Sequence, residues 1–209
     1  MITIFTPVYN RADIIEKLYN SIKQQSFKDF EWLVVNDGSS DNINEVMRSF
    51  IAEGVINIRY FSQPNGGKHR AINKGVELAK GDLFFIADSD DTLTPDALHW
   101  LNYYYQQVKD NEIFAGVSGY RCLPNGAGVY ERPEENVIDC SSIEYAYRYN
   151  SKGGNAEAFK TEIMKEYLFP DIEGERFCAE SLVWNRIARK YKLRYFNKFI
   201  YVWNYLPMG

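Results

Sequence analysis

Histidine and closely spaced cysteine are scarce in this chain, which has two of the first and three of the second in 209 residues. His69 and His99 stand apart, and Cys122, Cys140 and Cys178 lack the spacing that zinc sites and dithiol redox motifs need. Soft-ligand metal chemistry and thiol exchange are therefore excluded, and buried thiols in a reducing compartment are expected. A basic block is missing too. Lys and Arg number 24 against 28 Asp and Glu, a formal net charge of −4, so there is no electrostatic footprint for nucleic acid and small-molecule partners are expected. No apolar run approaches the roughly 20 residues of a membrane span, and Met1 leads straight into a strand-like segment instead of a signal peptide, which predicts a soluble protein. Repeats and low-complexity tracts are absent, although residues 123–133 (LPNGAGVYERP) read as a turn-rich connection. What is plentiful is apolar and aromatic material, 45% and 16% of the chain, enough for one full core.

The first ninety residues alternate between two periodicities. ITIFTPVY is a short apolar segment ending at a turn, after which Ile14, Ile15, Leu18 and Ile22 recur at helical spacing within residues 11–25. EWLVVND repeats the strand and ends at Asp37, followed by a GSSDN turn and a helix over residues 43–52. INIRYFSQP gives a third strand. GGKHRAINKGVELAKG reads as a glycine turn and a helix with Ala71, Ile72, Val76 and Ala79 on one face, closed by Gly81. LFFIAD is the fourth strand. After Pro95 a helix carries Leu98, Leu101, Tyr105 and Val108, and FAGVSGYRC is a further strand. Beyond the turn-rich connection, residues 142–149 read as a short helix and 157–160 as a strand. Residues 179–191 read as a helix with Leu182, Val183, Ile187 and Ala188 facing inward, and LRYFNKFIYVWNY as one or two closing strands. The pattern predicts an α/β fold with a mostly parallel central sheet and helices on both faces.

Ligands of such sheets sit beyond the carboxyl ends of the strands. Tyr9, Asn10, Asp37, Gly38, Pro64, Asn65 and the Asp88–Asp91 run all fall there and should converge on one crevice. The run is the most informative, because LFFIADSDD empties an apolar strand into three carboxylates, Asp88, Asp90 and Asp91. A hard divalent cation, manganese or magnesium, completed by water and phosphate oxygens, would relieve their repulsion. A polar turn and helix cap is the plainer alternative.

Taken in order, TPVYNR, VNDGSSDN, NGGKHRAINKG, IADSDD and FCAESLVWNRIARKY resemble the family 2 glycosyltransferases of the GT-A fold, and the resemblance covers essentially the whole chain. It implies an inverting, metal-dependent enzyme that moves a sugar from a nucleoside diphosphate sugar, UDP-linked, to a hydroxyl of a glycan or lipid-linked acceptor in bacterial surface polysaccharide synthesis. The implied location is the cytoplasm, at the inner face of the cell membrane. Residues 1–121 would be the nucleotide-sugar and metal-binding half. Residues 122–209 would be the acceptor-side half of the same domain, and the abrupt end at Pro207, Met208 and Gly209 reads as that of a fragment of a longer protein.

The resemblance also implies roles. Asp37 and the backbone around Thr6, Pro7 and Tyr9 would hold the nucleobase and ribose. Gly66 and Gly67 would let the backbone approach the nucleotide, with Lys68 and Arg70 placing positive charge near a pyrophosphate. Asn73 is retained, whereas Ile72 stands where the family has Arg. Asp88 and Asp90 match the DXD motif with Ser89 between them. Asp90 would ligate Mn2+ or Mg2+, Asp88 would contact ribose, donor sugar or a metal-bound water, and Asp91 would cap the next segment. Glu180 would be the general base, with Glu175 and Glu173 as fallbacks, since Ser181 stands where an Asp is expected. For each of these the bland role stays open: an Asx turn at Asp37, exposed first-turn cations at Lys68 and Arg70, and an acidic helix start at Glu180. Trp184, Tyr195, Trp203 and Tyr205 are numerous enough to suggest sugar stacking, although such aromatics are more often core, and residues 150–155 (NSKGGN) read as part of a mobile acceptor or donor loop. Two other readings are a catalytically silent nucleotide-sugar binding subunit, which turnover would distinguish, and a nucleotidyltransferase, which would need a glycine- and basic-rich loop that TPVYNRAD lacks.

Overall fold

In the computed structural model of the chain, residues 1–149 and 154–204 are described. The parts of the NSKGGN stretch at 150–153, together with Tyr205 and the 207–209 end, lie outside the described residues. The elements are β1 (Ile2–Val8), α1 (Ile15–Lys23), β2 (Phe30–Asp37), α2 (Ile43–Glu53), β3 (Ile58–Gln63), α3 (Lys68–Leu78), β4 (Leu83–Ile86) and β5 (Thr92–Leu93). They continue with α4 (Ala97–Gln106), β6 (Phe114–Cys122), β7 (Val137–Cys140), α5 (Ser142–Arg148), β8 (Asn155–Lys160), α6 (Thr161–Glu166), α7 (Glu180–Ala188) and β9 (Lys192–Val202).

Among the described residues the nine strands join one sheet of order β3-β2-β1-β4-β8-β6-β9-β5, with β7 paired to β9. The first four pair in parallel, as the alternation predicts. β8 then runs antiparallel between β4 and β6, β6 and β9 are parallel, and β5 and β7 lie antiparallel to β9. Thus β1, β2, β3, β4, β6 and β9 point one way, and the two expected halves of the chain share a single sheet.

Strand residues alternate between two apolar layers, because successive side chains point to opposite faces. Ile2, Ile4, Trp32 and Val34 meet Leu18, Ile22, Met47 and Leu98 from α1, α2 and α4 on one side. Phe5, Leu33, Val35 and Phe159 meet Ile72, Val76, Ile163 and Val183 from α3, α6 and α7 on the other. Leu182, expected to face inward, is 45% exposed, while Val183 and Ile187 carry the buried stripe of α7. The expected single-file apolar face is thus one residue narrower.

Polar contacts lock the ends of the sheet. Glu31 in β2 is fully buried and accepts from Thr3 Oγ1 at 2.7 Å, the Lys80 N–H at 2.8 Å and Arg59 Nη1 at 2.9 Å. Arg59 also donates to the Leu78 carbonyl at 2.7 Å, so this cluster fixes the carboxyl end of α3. Burial works against the charged form, but those donors win and hold the Glu31 carboxyl below its ordinary range. Cys122 and Cys140 are buried as expected, whereas Cys178 is partly exposed. Among the described residues no helix is long and apolar enough to cross a membrane.

Candidate active site

The carboxyl ends of β1, β2 and β4 and the first turn of α3 enclose a cleft of about 300 Å³. Pro7, Val8, Tyr9, Arg11, Asp37, Lys68, Asp88, Ser89 and Asp90 line it. Most of the residues marked in the sequence therefore meet in one place. Arg11 also lines the cleft, a position that the sequence signals only through its charge at the end of the TPVYNR motif; its Nη2 lies 4.0 Å from Asp90 Oδ2.

Asp37, at the last position of β2, is 3% exposed. Its Oδ1 accepts from Gln63 Nε2 at 2.8 Å and the Gly66 N–H at 2.9 Å, and its Oδ2 accepts from the Gly67 N–H at 2.8 Å. A carboxylate has about four lone-pair positions, so three are used within the protein and one is left for a ligand. The side chain shapes the glycine turn as well as facing the cleft. Gly67 has φ +96°, and a Cβ there would fall 2.2 Å from the Arg176 carbonyl oxygen. Only glycine lets the turn pass that close to the loop before α7.

The acidic loop after β4 splits its carboxylates three ways. Asp91 is not a helix cap. It turns inward, is 4% exposed, and accepts the Asn204 N–H at 2.7 Å. The Tyr201 hydroxyl donates to it as well, yet burial and the neighbouring Asp90 and Asp88 push its pKa up to about 6. The same hydroxyl accepts from the Asp88 N–H at 2.9 Å, so β9 grips the loop at two points. Asp88 and Asp90 stay partly exposed to the cleft.

Lys68, the first residue of α3, spans the cleft. Its Nζ lies 2.7 Å from Asp88 Oδ1 and 2.8 Å from Glu180 Oε1, joining the end of β4 to the start of α7. Burial would pull the ammonium pKa down, but the two carboxylates more than offset that and hold it above its usual value. Behind this pair, burial pushes the Glu157 carboxyl up against the opposing Arg121 guanidinium, which stacks 5.0 Å from the Tyr201 ring.

Other marked residues serve elsewhere. Thr6 is fully buried and its Oγ1 accepts from Trp32 Nε1 at 3.0 Å, so this side chain faces the core. Asn73 lies on a different groove and exchanges two 2.9 Å hydrogen bonds with the Phe169 backbone. Arg70 turns from the cleft to the 171–175 loop, donating to Asp171 Oδ1 and to the carbonyls of Gly66, Ile172 and Glu175. Glu175 braces the same loop by accepting the Phe177 N–H; Glu173, Glu175 and Glu180 all stand outside the residues that line the cleft, and of the three Glu180 alone is tied to it by an ion pair, through Lys68. Tyr195 stacks on Tyr145 at 3.9 Å inside the core, and the partly buried Trp184 packs on Phe159 at 4.6 Å at its edge. The Trp203 N–H donates to the Cys122 carbonyl at 2.8 Å.

Among the described residues no three acidic, Cys or His side chains form a ready-made metal cage. The Asp88 and Asp90 pair still fits manganese or magnesium, which commonly bind through one or two carboxylates with waters and substrate phosphates completing the shell.

The sequence profile described as Glycosyl transferase family 2 matches residues 3–161. Glycosyltransferase GlyG of Streptococcus pneumoniae is 25% identical over 217 residues, covering 97% of this chain and 70% of GlyG. A Campylobacter jejuni protein is 34% identical over 184 residues, covering 86% of this chain and 55% of its own length. It is named GalNAc(5)-diNAcBac-PP-undecaprenol beta-1,3-glucosyltransferase. The crystal structure of Staphylococcus aureus TarS 1-349 in complex with UDP-GlcNAc superposes with a TM-score of 0.79 at 18% identity, covering 100% of this chain and 59% of that one. The likeness to TarS is one of fold. This chain spans little more than half the length of the Campylobacter and TarS chains.

Proposed function

The chain belongs to glycosyl transferase family 2, and from that premise we propose an inverting glycosyltransferase that uses a UDP-sugar donor and Mn2+ or Mg2+. Its acceptor would be a hydroxyl of a glycan or lipid-linked glycan in surface polysaccharide synthesis, at the cytoplasmic face of the cell membrane. The observation that carries this reading is the cleft itself. It lines a space of about 300 Å³ with Asp37 from the end of β2 and Asp88 and Asp90 from the loop after β4, and Lys68 links it to the carboxylate of Glu180. The UDP-GlcNAc named for TarS supports the choice of base, and the undecaprenol-linked substrate named for the Campylobacter relative supports a lipid-linked acceptor.

In this reading Pro7, Val8 and Tyr9 form the wall for the base, and Asp37 uses its remaining acceptor position for a base N–H or ribose hydroxyl. Asp90, with Asp88 beside it, would hold the cation, which supplies Lewis-acid stabilisation of the leaving diphosphate worth several kcal/mol. Arg11 and Lys68 add positive charge on either side of the diphosphate. Glu180 removes the proton of the acceptor hydroxyl as that oxygen attacks the anomeric carbon opposite the leaving group, a contribution of about 10²–10⁴-fold.

Calorimetric titration with UDP, GDP and dTDP, each with and without manganese, tests the reading. Binding of UDP that disappears without metal is expected, and Asp90→Ala should abolish the metal-assisted part while the fold persists. Absence of binding by every nucleotide in every condition would refute a donor site. Glu180→Gln should keep nucleotide binding and stop transfer; unchanged turnover would remove Glu180 from the mechanism.

A further inference from the structure

The Lys68 ammonium sits where two separate demands on the cleft meet. It contacts Asp88, one of the two hard-oxygen donors at the end of β4, and Glu180, at the first turn of α7. No other cation contacts either carboxylate at ion-pair distance among the described residues. Lys68, Asp88 and Glu180 side chains are 45%, 33% and 33% exposed, so solvent reaches all three although the ammonium itself is largely enclosed. A lysine head is a compact charge on a flexible four-carbon stem, suited to exchanging one oxyanion for another.

We propose that Lys68 is a positioning residue that gates the site: without donor its ammonium occupies Asp88 and Glu180, and a donor diphosphate draws it away, opening Asp88 to the cation and Glu180 to the acceptor hydroxyl. This rests on the donor-site reading above. The exchange needs no bond making, because an ammonium leaves two carboxylates for the phosphate oxygens while a divalent cation takes its place at Asp88. Two consequences follow from the geometry. The ammonium competes with free metal, so metal and nucleotide load together and metal alone is held weakly. Glu180 also stays ion-paired, and therefore a poor base, until a donor is present, which guards against misdirected proton removal in the empty site.

The test uses the full chain and two probes, Mn2+ alone by paramagnetic resonance titration and UDP with Mn2+ by calorimetry, on wild type, Lys68→Met and Lys68→Arg. Removing a unit positive charge from beside a cation site should tighten binding of Mn2+ alone on the order of tenfold. The same variant should weaken UDP in the presence of Mn2+, also on the order of tenfold, because the diphosphate loses its ammonium. Lys68→Arg keeps the charge and should stay near wild type for Mn2+ alone. Opposite signs in the two arms of Lys68→Met cannot come from a damaged fold, which would weaken both. No gain in Mn2+ binding by Lys68→Met, or an equal gain by Lys68→Arg, overturns the proposal. Failure of the wild type to bind UDP, GDP or dTDP would instead sink the donor-site reading, and the Mn2+ arm would still report on Lys68.

Discussion

Replacing Glu31 by Gln perturbs the site from behind, through the helix that carries Lys68. The carboxylate has no solvent access and accepts from Thr3, from the Lys80 N–H and from Arg59. An amide of the same shape can keep the first two bonds, but its NH2 then faces the Arg59 guanidinium donor to donor. Breaking a buried pair on one side costs about 3–5 kcal/mol. Because Arg59 is itself 20% exposed and can relax toward water, the lower end, about 3 kcal/mol, is expected. For a chain of this size that lowers Tm by about 6–12 °C. The pH dependence has a definite sign. The folded Glu31 carboxyl lies below its ordinary value of 4.5, so its contribution is present above pH 4.5 and fades as pH falls through the lowered folded value. Urea melts at pH 7 and at successive values below 4.5 should therefore show a gap between wild type and variant that narrows as the pH drops. A gap under about 1 kcal/mol at pH 7, or one that widens on acidification, would refute the reasoning.

Gly67→Ala forces a side chain into φ +96° and against the Arg176 carbonyl, which should cost about 1–3 kcal/mol and weaken nucleotide binding; a variant with wild-type urea midpoint and affinity would contradict it. Asn73→Ala removes both bonds to the Phe169 backbone and should cost about 1–3 kcal/mol with nucleotide affinity unchanged. The reverse outcome, lost affinity at full stability, would return Asn73 to the donor site. Arg70→Ala releases the three contacts that hold the 171–175 loop, so amide exchange across that loop should rise sharply while β1 and β2 keep their protection; equal protection in both proteins would show that the loop is held by something else.

The parallel half of the fold is legible because β1, β2 and β3 and the helices between them are long enough to display a period, and because β4, though only four residues long, is a continuous apolar run that ends in the Asp88–Asp91 cluster. β5 is two residues long and β7 four, too short for a period to appear on its own, and α6 is six residues, less than two turns, directly after β8. The inward turn of Asp91 depends on Asn204 and Tyr201, far along the chain, and nothing local distinguishes that Asp from its neighbours. Arg70 looked like a phosphate ligand because it follows a glycine turn. Its guanidinium instead found carbonyls of an aperiodic loop, which carries no sequence pattern to pair with it. Lys68 lines the cleft, but its second partner arrives from α7, which no local pattern in the sequence reveals.

The insertion of β8 between β4 and β6 has a consequence for how the protein is made. β4 leaves the ribosome about 70 residues before β8, an interval of several seconds at ~5–20 residues per second, and until then the β4 edge beside the acidic loop has no strand to pair with. An unpaired apolar edge is a template for wrong association, so residues 1–121 synthesised alone should aggregate, whereas co-production with the remainder of the chain should rescue them by supplying β8 in trans.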